Sequence, residues 1–463
     1  MIWMHFKVGA KIYAKQATKE LLDWCEENLV LDNPEYHKKQ RMGLWCGNIP
    51  EHICLYERDG RDVIIPFGCI AYLREKFPDC IFYSIITKGG TVRYNSNIEL
   101  YQYQKDAVKA ALRNRNGVIV MPCGAGKTQT ALEIIAMLGK KTLWLTHTQD
   151  LLNQSLNRAK SVLNCPVSTY GTITGGKVNI GTGITFATVQ TMSKLDLTQY
   201  RDTWDVVVVD ECHKAVGSPT KVMQFYKVLS NLACRYKFGF TATPKRADGL
   251  EKSMFALLGG IIHEVSREEV AETTCPVRVQ TIQTGYIPDL NIALSGDGTI
   301  NYAGLVDDLT HNEERMNLVS AVLNYNCQTA TLVLANRVEY LKALQSRYQH
   351  TSICLSTLGN SKAAKAERKE ALRKLNEGEI DCVFATYQLA KEGLDVPNLR
   401  YVVFATPEKD ETTVMQAAGR VGRKADGKEY GTVIDFVDDF GMHKGWAKKR
   451  AGYYKKLGYN VLT

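Results

Sequence analysis

Between about residue 101 and residue 435, short runs of β-branched and other apolar residues alternate with stretches that have helical periodicity. The stretch 362–376, rich in Ala, Lys, Glu and Leu, is typical of the helical segments. Unbroken apolar runs predict strands covered on both faces, and therefore parallel sheets flanked by helices. Ten such strands are predicted, at 117–120, 142–145, 184–187, 206–209, 237–240, 277–282, 331–334, 380–384, 401–404 and 431–434.

Ten strands are more than a single open sheet usually contains, so the sequence predicts two α/β domains, at residues 96–272 and 273–440. The break is placed near 272–275, and residues 288–303 are predicted to be a loop of the second domain. Residues 1–95 carry short strands, such as 63–66 and 81–86, between turn residues, which indicates a small α+β accessory domain. Residues 441–463 form a basic, aromatic C-terminal tail.

Composition narrows the class of protein. A hydrophobic content of 45% with 23% charged residues is average for a soluble globular chain. The longest apolar runs are too short to span a membrane and the N-terminus lacks the order of a signal peptide, so we expect a cytoplasmic protein without a membrane partner. The thirteen cysteines form no C-x-x-C pair, which predicts reduced thiols and no structural zinc. The net charge of +9 favours a polyanionic partner without proving one.

The segment Met121-Pro-Cys-Gly-Ala-Gly-Lys-Thr128 lies between a predicted strand and a predicted helix. A strand, a glycine-rich turn, Lys-Thr and a helix together form the arrangement that holds a nucleoside triphosphate. In this interpretation Lys127 reaches the β- and γ-phosphates and Thr128 ligates Mg²⁺. The backbone of the turn would approach the phosphates at Gly124, Ala125 and Gly126. Met121 departs from the strict pattern, which has glycine there, and a glycine-rich turn without a ligand is the alternative.

A second pair of candidate residues follows the predicted strand 206–209. Asp210 and Glu211 stand at its carboxyl end, the edge where open α/β sheets bind their ligands. Asp210 would hold Mg²⁺ through water, and Glu211 would position and deprotonate the water that attacks the γ-phosphate. The alternative is a strand that ends in a solvated acidic turn.

A third candidate is Gln416-Ala-Ala-Gly-Arg-Val-Gly-Arg423 in the second predicted domain. Arg420 and Arg423 are three residues apart on a predicted loop or helix start, so both side chains can point the same way. Guanidinium groups of this kind act as arginine fingers that stabilise charge in phosphoryl transfer. A basic surface turn is the alternative.

In this order the three segments resemble the superfamily 2 helicases, over about residues 100 to 435. Tyr101-Gln-Tyr-Gln104 resembles the Q motif of that family, with Gln104 reading adenine. The segments 145–154 and 186–191 are similar to motifs Ia and Ib, Thr241-Ala-Thr-Pro244 to motif III, and 385–397 to motif V. The resemblance implies nucleic-acid contacts at Thr146, Thr188, Gln190 and Thr386, nucleotide contacts at Gly393 and Asp395, and coupling roles for Thr241, Thr243 and Gln416.

Within the superfamily, residues 240–249 and parts of 31–72 resemble the XPB-like and phage UvsW-like group. That resemblance implies two RecA-like domains with ATP and Mg²⁺ between them, after an accessory domain that engages DNA. It implies a monomeric DNA helicase or translocase, from a bacterial or phage-infected cell, acting on branched or duplex DNA in recombination, repair or replication. Branch migration and binding to single-stranded DNA are possible further activities. An RNA helicase, the motor of a nuclease complex and a nucleotide-gated binding platform are the alternatives.

For two features, the residues alone allow both a structural and a functional interpretation. Each threonine at a strand end is more often a helix cap than a phosphate ligand, although one hydroxyl can do both. The basic, aromatic tail is either a helix docked on its own domain or a surface that grips nucleic acid.

Overall fold

The structure, a computed structural model, describes residues 4–87, 89–122, 124–218, 222–245, 248–296, 299–359, 361–391, 394 and 396–462. The chain divides into two compact units. The first is Met1–Pro122 with Gly126–Ser266, and the second is Arg267–Thr463 with the segment Cys123–Ala125. The break between Ser266 and Arg267 therefore precedes the position 272–275 that the sequence suggests.

The N-terminal part of the first unit is the accessory α+β region. Its elements are β1 (His5–Val8), β2 (Lys11–Ala14), α1 (Lys19–Leu29), β3 (Val30–Asp32), α2 (Pro34–Arg41), β4 (His52–Cys54), β5 (Glu57–Asp59), β6 (Asp62–Pro66), α3 (Ile70–Lys76) and β7 (Ile81–Ser84). Five strands form a mixed sheet in the order β5-β6-β2-β1-β7, while β3 and β4 pair separately. Alternating burial in β1 and β2 leaves one face of this sheet for a core around Phe6, Ile12 and Leu21.

The rest of the first unit is a helix-flanked sheet. Its elements are α4 (Gln102–Asn114), β8 (Asn116–Val120), α5 (Lys127–Leu138), β9 (Thr142–Thr146), α6 (Gln149–Val162), β10 (Tyr170–Thr174), β11 (Lys177–Asn179), β12 (Ile184–Thr188), α7 (Val189–Met192), β13 (Val206–Asp210), α8 (Gln224–Asn231), β14 (Tyr236–Thr241), α9 (Glu251–Leu258) and β15 (Ile261–Glu264). Helix α10 (Arg267–Val270) follows β15 along the chain and begins the second unit. The order is β11-β10-β12-β9-β13-β14-β8-β15. All neighbours are parallel except β10 and β11.

The order of the strands decides which loops meet. Strand β14 lies between β8 and β13, with Thr241 opposite Val120 and Phe240 opposite Asp210. Because the strands are parallel, the segments that follow β8, β13 and β14 emerge at one edge of the sheet.

The second unit is a fully parallel seven-stranded sheet with helices. Its elements are β16 (Val277–Gln283), α11 (Leu290–Ala293), α12 (Tyr302–His311), α13 (Glu313–Asn326), β17 (Thr331–Ala335), α14 (Val338–Arg347), β18 (Ser352–Cys354), α15 (Lys362–Glu377), β19 (Cys382–Thr386), α16 (Tyr387–Lys391), β20 (Tyr401–Phe404), α17 (Glu411–Val421), β21 (Gly431–Val437), α18 (Gly441–Lys456) and β22 (Asn460–Leu462). The order is β18-β19-β17-β20-β21-β16-β22. The predicted fold class, α/β with parallel sheets flanked by helices, is confirmed.

Two details differ from the sequence expectations. The predicted loop 288–303 contains the short helix α11 and an antiparallel bridge between Leu294 and Ile300, so it is only partly irregular. The basic, aromatic C-terminal segment is an integral part of the second unit rather than a separate tail, because β22 pairs with β16. In addition, none of the helices in the described part of the chain has the length and apolar character required to cross a membrane.

Candidate active site

The glycine-rich turn after β8 has the backbone that a phosphate cradle requires. Gly124 and Gly126 adopt left-handed φ values of 86° and 78°, and Gly126 is the N-cap of α5. Helix α5 begins at Lys127, so both Lys127 and Thr128 lie in its first turn, at the positive end of the helix dipole.

Gln104 lies directly against this turn. It is 1% exposed, and its Oε1 accepts a hydrogen bond from the Tyr101 N–H at 3.0 Å. A Cβ atom added to Gly126 would lie 2.3 Å from Gln104 Nε2, so a side chain there would displace the glutamine amide and would also strain the left-handed backbone of Gly126. The predicted adenine reader and the predicted phosphate turn are thus neighbours in the structure.

Asp210 ends β13 and Glu211 follows it, at the same edge of the sheet. Glu211 Oε1 lies 3.8 Å from Lys127 Nζ, and the Glu211 N–H donates to Asp210 Oδ1 at 3.0 Å. Glu211 has φ of 51°, a left-handed conformation that is costly for a residue with a side chain. Such strain is concentrated at functional sites, where the surrounding structure maintains it.

His213 joins this carboxylate to the end of β14. Its Nδ1 lies 3.4 Å from Glu211 Oε2 and 3.1 Å from Thr241 Oγ1. Thr241 Oγ1 in turn lies 3.2 Å from the Thr243 carbonyl oxygen and accepts from the Thr243 N–H at 3.1 Å. No role is predicted for His213 from the sequence, although its position two residues after Glu211 is a signal that could have indicated one.

Burial and neighbouring charges give the two carboxyl groups different pKa values. Burial raises the pKa of Asp210, and the adjacent Glu211 carboxylate raises it further, to about 7. Burial also acts to raise the pKa of Glu211, but the Lys127 ammonium and the hydrogen bond with His213 outweigh it and lower that pKa to about 2. Glu211 is therefore the ionised carboxylate, and Asp210 is the group that a bound cation would ionise.

The residues expected to contact nucleic acid in the first unit are engaged in local hydrogen bonds. Thr146 is fully buried and its hydroxyl donates to the Thr148 carbonyl at 3.0 Å. Thr148, which is not among the residues predicted to contact nucleic acid, is the side-chain N-cap of α6. The hydroxyls of Thr188 and Thr191 are 3.0 Å apart, whereas Gln190 is exposed and its Nε2 donates to the His147 carbonyl at 2.7 Å.

His147 connects these segments to the residues that follow Glu211. Its Nε2 is hydrogen-bonded to Lys214 Nζ. Burial lowers the pKa of His147, and the Lys214 ammonium lowers it further, to about 4, so the imidazole is neutral at pH 7. Gln190, His147 and Lys214 therefore form a continuous path from the ends of β9 and β12 to the segment after β13.

In the second unit, Gln416 and Arg420 lie on α17, and Arg423 follows its end. The two arginines are therefore at the carboxyl end of a helix, not on the loop or helix start expected from the sequence. The Arg420 guanidinium donates to the carbonyls of Ala390, at 2.8 Å, and Leu394, which ties α17 to the segment around α16. Thr386 ends β19, and its Oγ1 accepts from the Leu389 N–H at 3.3 Å as a helix cap does. Gly393 and Asp395 lie outside the described residues.

The residues at the edge of the first sheet fit a nucleotide and a divalent cation. The turn has left-handed glycines and a helix N-terminus, Lys127 is a cation at its end, and Asp210 and Thr128 provide the oxygen ligands that Mg²⁺ prefers. Asp210 is buried without a cationic partner strong enough to keep its pKa low, which is consistent with a site that binds a cation.

Two family models match the chain. The model described as "Type III restriction enzyme, res subunit" matches residues 97–246, and the model described as "Helicase conserved C-terminal domain" matches residues 314–425. The first match lies in the first helix-flanked sheet and the second match lies in the second, in the order expected of a two-domain motor. The chain belongs to the superfamily 2 helicases. It is accordingly an enzyme of the ATP-dependent helicase class.

Curated relatives assign the helicase to the XPB and UvsW type. It is 26% identical to DNA 3'-5' translocase XPB2 of Sulfurisphaera tokodaii, over 71% of this chain and 80% of that protein. It is 23% identical to the ATP-dependent DNA helicase uvsW of Enterobacteria phage T4, over 91% of this chain and 87% of that protein. A third relative, L396 of Acanthamoeba polyphaga mimivirus, is named as a candidate ATP-dependent RNA helicase; identity is 26%, over 76% of this chain and 66% of that protein, just under two thirds.

The fold is also found in solved helicase structures. The helicase resembles Saccharomyces cerevisiae Dbp5 bound to RNA and ADP BeF3, with a TM-score of 0.54 and 16% identity, over 79% of this chain and 90% of Dbp5. At this identity the likeness concerns the fold alone, and it agrees with two RecA-like domains.

Proposed function

We propose that this helicase is an ATP-driven DNA translocase that acts without sequence specificity on branched or duplex DNA. The observation that carries the catalytic part is the 3.8 Å ion pair between Lys127 and Glu211, at an edge shared with Asp210, His213 and Thr241. Relatives named as DNA helicases and translocases, together with the net charge of +9, support DNA as the polymer. Roles in recombination, repair, replication and branch migration belong to this proposal.

Each residue at the site has a distinct task in the proposal. The turn at 124–126 and Lys127 bind the triphosphate, and Gln104 reads the base. Glu211, held ionised beside Lys127, orients the attacking water and accepts its proton. Magnesium, held by Thr128 and Asp210, would supply charge compensation at the phosphates. His213 and Thr241 would transmit the state of Glu211 to the segment around Thr243.

The second unit contributes positive charge and nucleic-acid contacts. We assign to Arg423 a stabilising charge for hydrolysis, while Arg420, already bonded to the Ala390 and Leu394 carbonyls, holds α17 in place. Thr386, Gly393, Asp395 and Gln416 keep the roles that the family resemblance implies. In the first unit, the exposed Gln190 is the best-placed nucleic-acid contact, since the Thr146 and Thr188 hydroxyls are buried. The helicase acts as a monomer in this proposal.

The test is ATPase stimulation, measured in parallel with single-stranded, duplex, forked and four-way DNA and with single-stranded and duplex RNA of equal nucleotide concentration. We expect stimulation by DNA, greatest with a branched substrate. Stimulation by RNA alone would favour an RNA helicase, the function given in the name of the mimivirus relative. If neither DNA nor RNA changed the rate of ATP turnover, the translocase proposal would be contradicted.

A further inference from the structure

A long loop joins β3 to β4 in the accessory region. The two strands pair from Val30 with Cys54 to Asp32 with His52, and residues 33–51, here called the accessory loop, run out and back between them. Asn33, 2% exposed, closes the base of this loop. Its N–H donates to the Glu51 carbonyl and its Nδ2 to the Pro50 carbonyl, each at 2.8 Å, while its Oδ1 accepts from the Glu35 N–H at 3.1 Å. The loop is therefore fixed where it joins the sheet.

The far end of the accessory loop has a hydrogen-bonded backbone but presents apolar side chains to solvent. Helix α2 buries none of its residues. After it, Met42, Leu44 and Trp45 are 61%, 52% and 87% exposed. The backbone there is held by hydrogen bonds from the Leu44 N–H to the Lys39 carbonyl and from the Gly43 N–H to the Gln40 carbonyl, each at 3.0 Å. Single exposed apolar residues are ordinary on a protein surface, but three large ones within four positions mark an interaction site.

Positive charge lies next to these apolar residues. Lys38, Lys39 and Arg41 occupy the last turn of α2, and in the described part of the chain no carboxylate forms an ion pair with any of them. The hydrogen bond between Leu44 and Lys39 places the apolar segment against this basic turn. Cations with an exposed aromatic ring beside them match the chemistry of a nucleic-acid strand, whose phosphates and bases alternate at short range.

We propose that the accessory loop binds an unpaired stretch of DNA, with a base stacked on Trp45 and its phosphates held by Lys38, Lys39 and Arg41. This inference rests on the proposed function and deepens it, because it supplies a contact through which the helicase distinguishes a branch, where bases are unpaired, from continuous duplex. An anionic membrane is the other surface that a basic, apolar tip could meet. The DNA-helicase names of two relatives and the match to helicase family models favour DNA.

The experiment uses the full chain and forked DNA that carries 2-aminopurine in one unpaired arm next to the junction. Affinity is measured by anisotropy of a label on the duplex end, and stacking by quenching of 2-aminopurine fluorescence. We expect Trp45→Ala to weaken binding to the fork about 5- to 100-fold and to remove the quenching, as the loss of one base–aromatic stack does. Trp45→Phe should retain most of both. Tyr325→Ala, at a tyrosine that is 83% exposed on α13, is the matched control and should change neither.

Two further measurements make the outcome decisive. The double variant Lys38→Gln/Lys39→Gln should reduce the slope of log affinity against log salt by about 1.4 to 1.8, as expected for two lost phosphate contacts. Basal ATPase without DNA and thermal unfolding should be unchanged in Trp45→Ala.

If Trp45→Ala binds the fork as the parent does while DNA still stimulates the ATPase, this inference is overturned and the proposed function stands. If no DNA is bound or stimulates turnover, the proposed function itself fails. Sedimentation with phosphatidylserine vesicles that depends on Trp45, without an effect on DNA, would also overturn the inference.

Discussion

Lys127 is the residue on which the catalytic interpretation depends most directly. Its ammonium lies 3.8 Å from the Glu211 carboxylate and helps to keep that carboxylate ionised against burial. We expect Lys127→Ala to lower ATP turnover about 100-fold or more, which is the size seen when one donor to a developing charge is removed. Lys177→Ala, at an exposed lysine of β11, is the control and should retain full turnover. If Lys127→Ala retained its ATP turnover, the assignment of this site to ATP hydrolysis would be wrong.

Lys237 gives a test of electrostatics in the first unit. It is 0% exposed, its Nζ donates to the Leu229 carbonyl at 2.8 Å, and it lies 4.6 Å from the centre of the Phe67 ring. Burial lowers its pKa from 10.5 to about 8. Between these two pH values the unfolded chain binds more protons than the folded one, so stability rises with pH in this window.

The measurement for Lys237 compares the unfolding free energies of the parent and Lys237→Met as pH increases. The parent should gain on the order of 2 kcal/mol relative to the variant between about pH 8 and pH 10, because the cost of burying the charge is removed. Other groups titrate in both proteins and cancel in the difference. Lys177→Met should show no such trend. A difference between parent and Lys237→Met that stays constant would mean that Lys237 does not lose its proton in the folded state.

Helix α18 shows how an element with a basic sequence is attached to its unit. Arg450, 1% exposed, forms an ion pair with Asp435 of β21 at 2.7 Å and donates to the Glu408 carbonyl at 2.9 Å. The Tyr454 hydroxyl also donates to Asp435, at 3.0 Å. Buried aromatic and arginine side chains thus fix the inner face of α18, while Lys448 and Lys449 are exposed. This favours the docked-helix interpretation of the C-terminal segment.

We expect Arg450→Met to lower the free energy of unfolding of the second unit by about 3 to 5 kcal/mol, because it leaves the Asp435 carboxylate buried without its cation. The double variant Arg450→Met/Asp435→Leu should recover most of the loss, since a buried ion pair replaced by apolar side chains is often neutral. Urea unfolding followed by circular dichroism measures both. Lys449→Met, one position away and exposed, is the control. Equal stability of Arg450→Met and Lys449→Met would contradict the buried ion pair.

The ten strands predicted from apolar runs are all present, and the structure shows why others were missed. The predicted strands lie inside the two sheets, and those with both faces covered, such as β8, β9, β13 and β17, read as continuous apolar segments. Strand β16 is partly exposed and is an exception. The overlooked strands β11, β15, β18 and β22 are edge strands, and β10 lies beside one of them. In β10 and β11 the exposed or half-exposed positions carry mainly polar residues, as in Lys177–Asn179, so no apolar run marks these two strands.

For the site as well, some features could be predicted from the sequence and others could not. The glycine-rich turn after β8 and the acidic residues at the end of β13 could be predicted, because a strand, a glycine turn and a helix together determine which backbone and side-chain groups face a ligand. The roles of Thr146 and His147 could not, because the direction of a hydroxyl or imidazole depends on contacts between loops that are distant in sequence. The joining of Glu211 to Thr241 through His213 likewise depends on the order of β13 and β14 in the sheet.

Across the first unit, the accessory sheet and the eight-stranded sheet pack as one body, and Gly68 lies where they meet. A Cβ atom on Gly68 would lie 2.4 Å from the Gly259 backbone nitrogen and from the Phe255 carbonyl oxygen. Neither backbone atom can move aside as a flexible side chain could. We therefore expect Gly68→Ala to destabilise the first unit by about 1 to 3 kcal/mol, the usual cost of overpacking, and to expose β6 to faster hydrogen exchange. Gly445→Ala on α18 is the matched control: its Cβ would meet no atom within 4 Å, so this variant should gain about 0.5 to 1 kcal/mol from helix propensity. If Gly68→Ala were as stable and as protected as the parent, the close packing of the accessory region on α9 would be incorrect, and the accessory loop would have no fixed position from which to meet DNA.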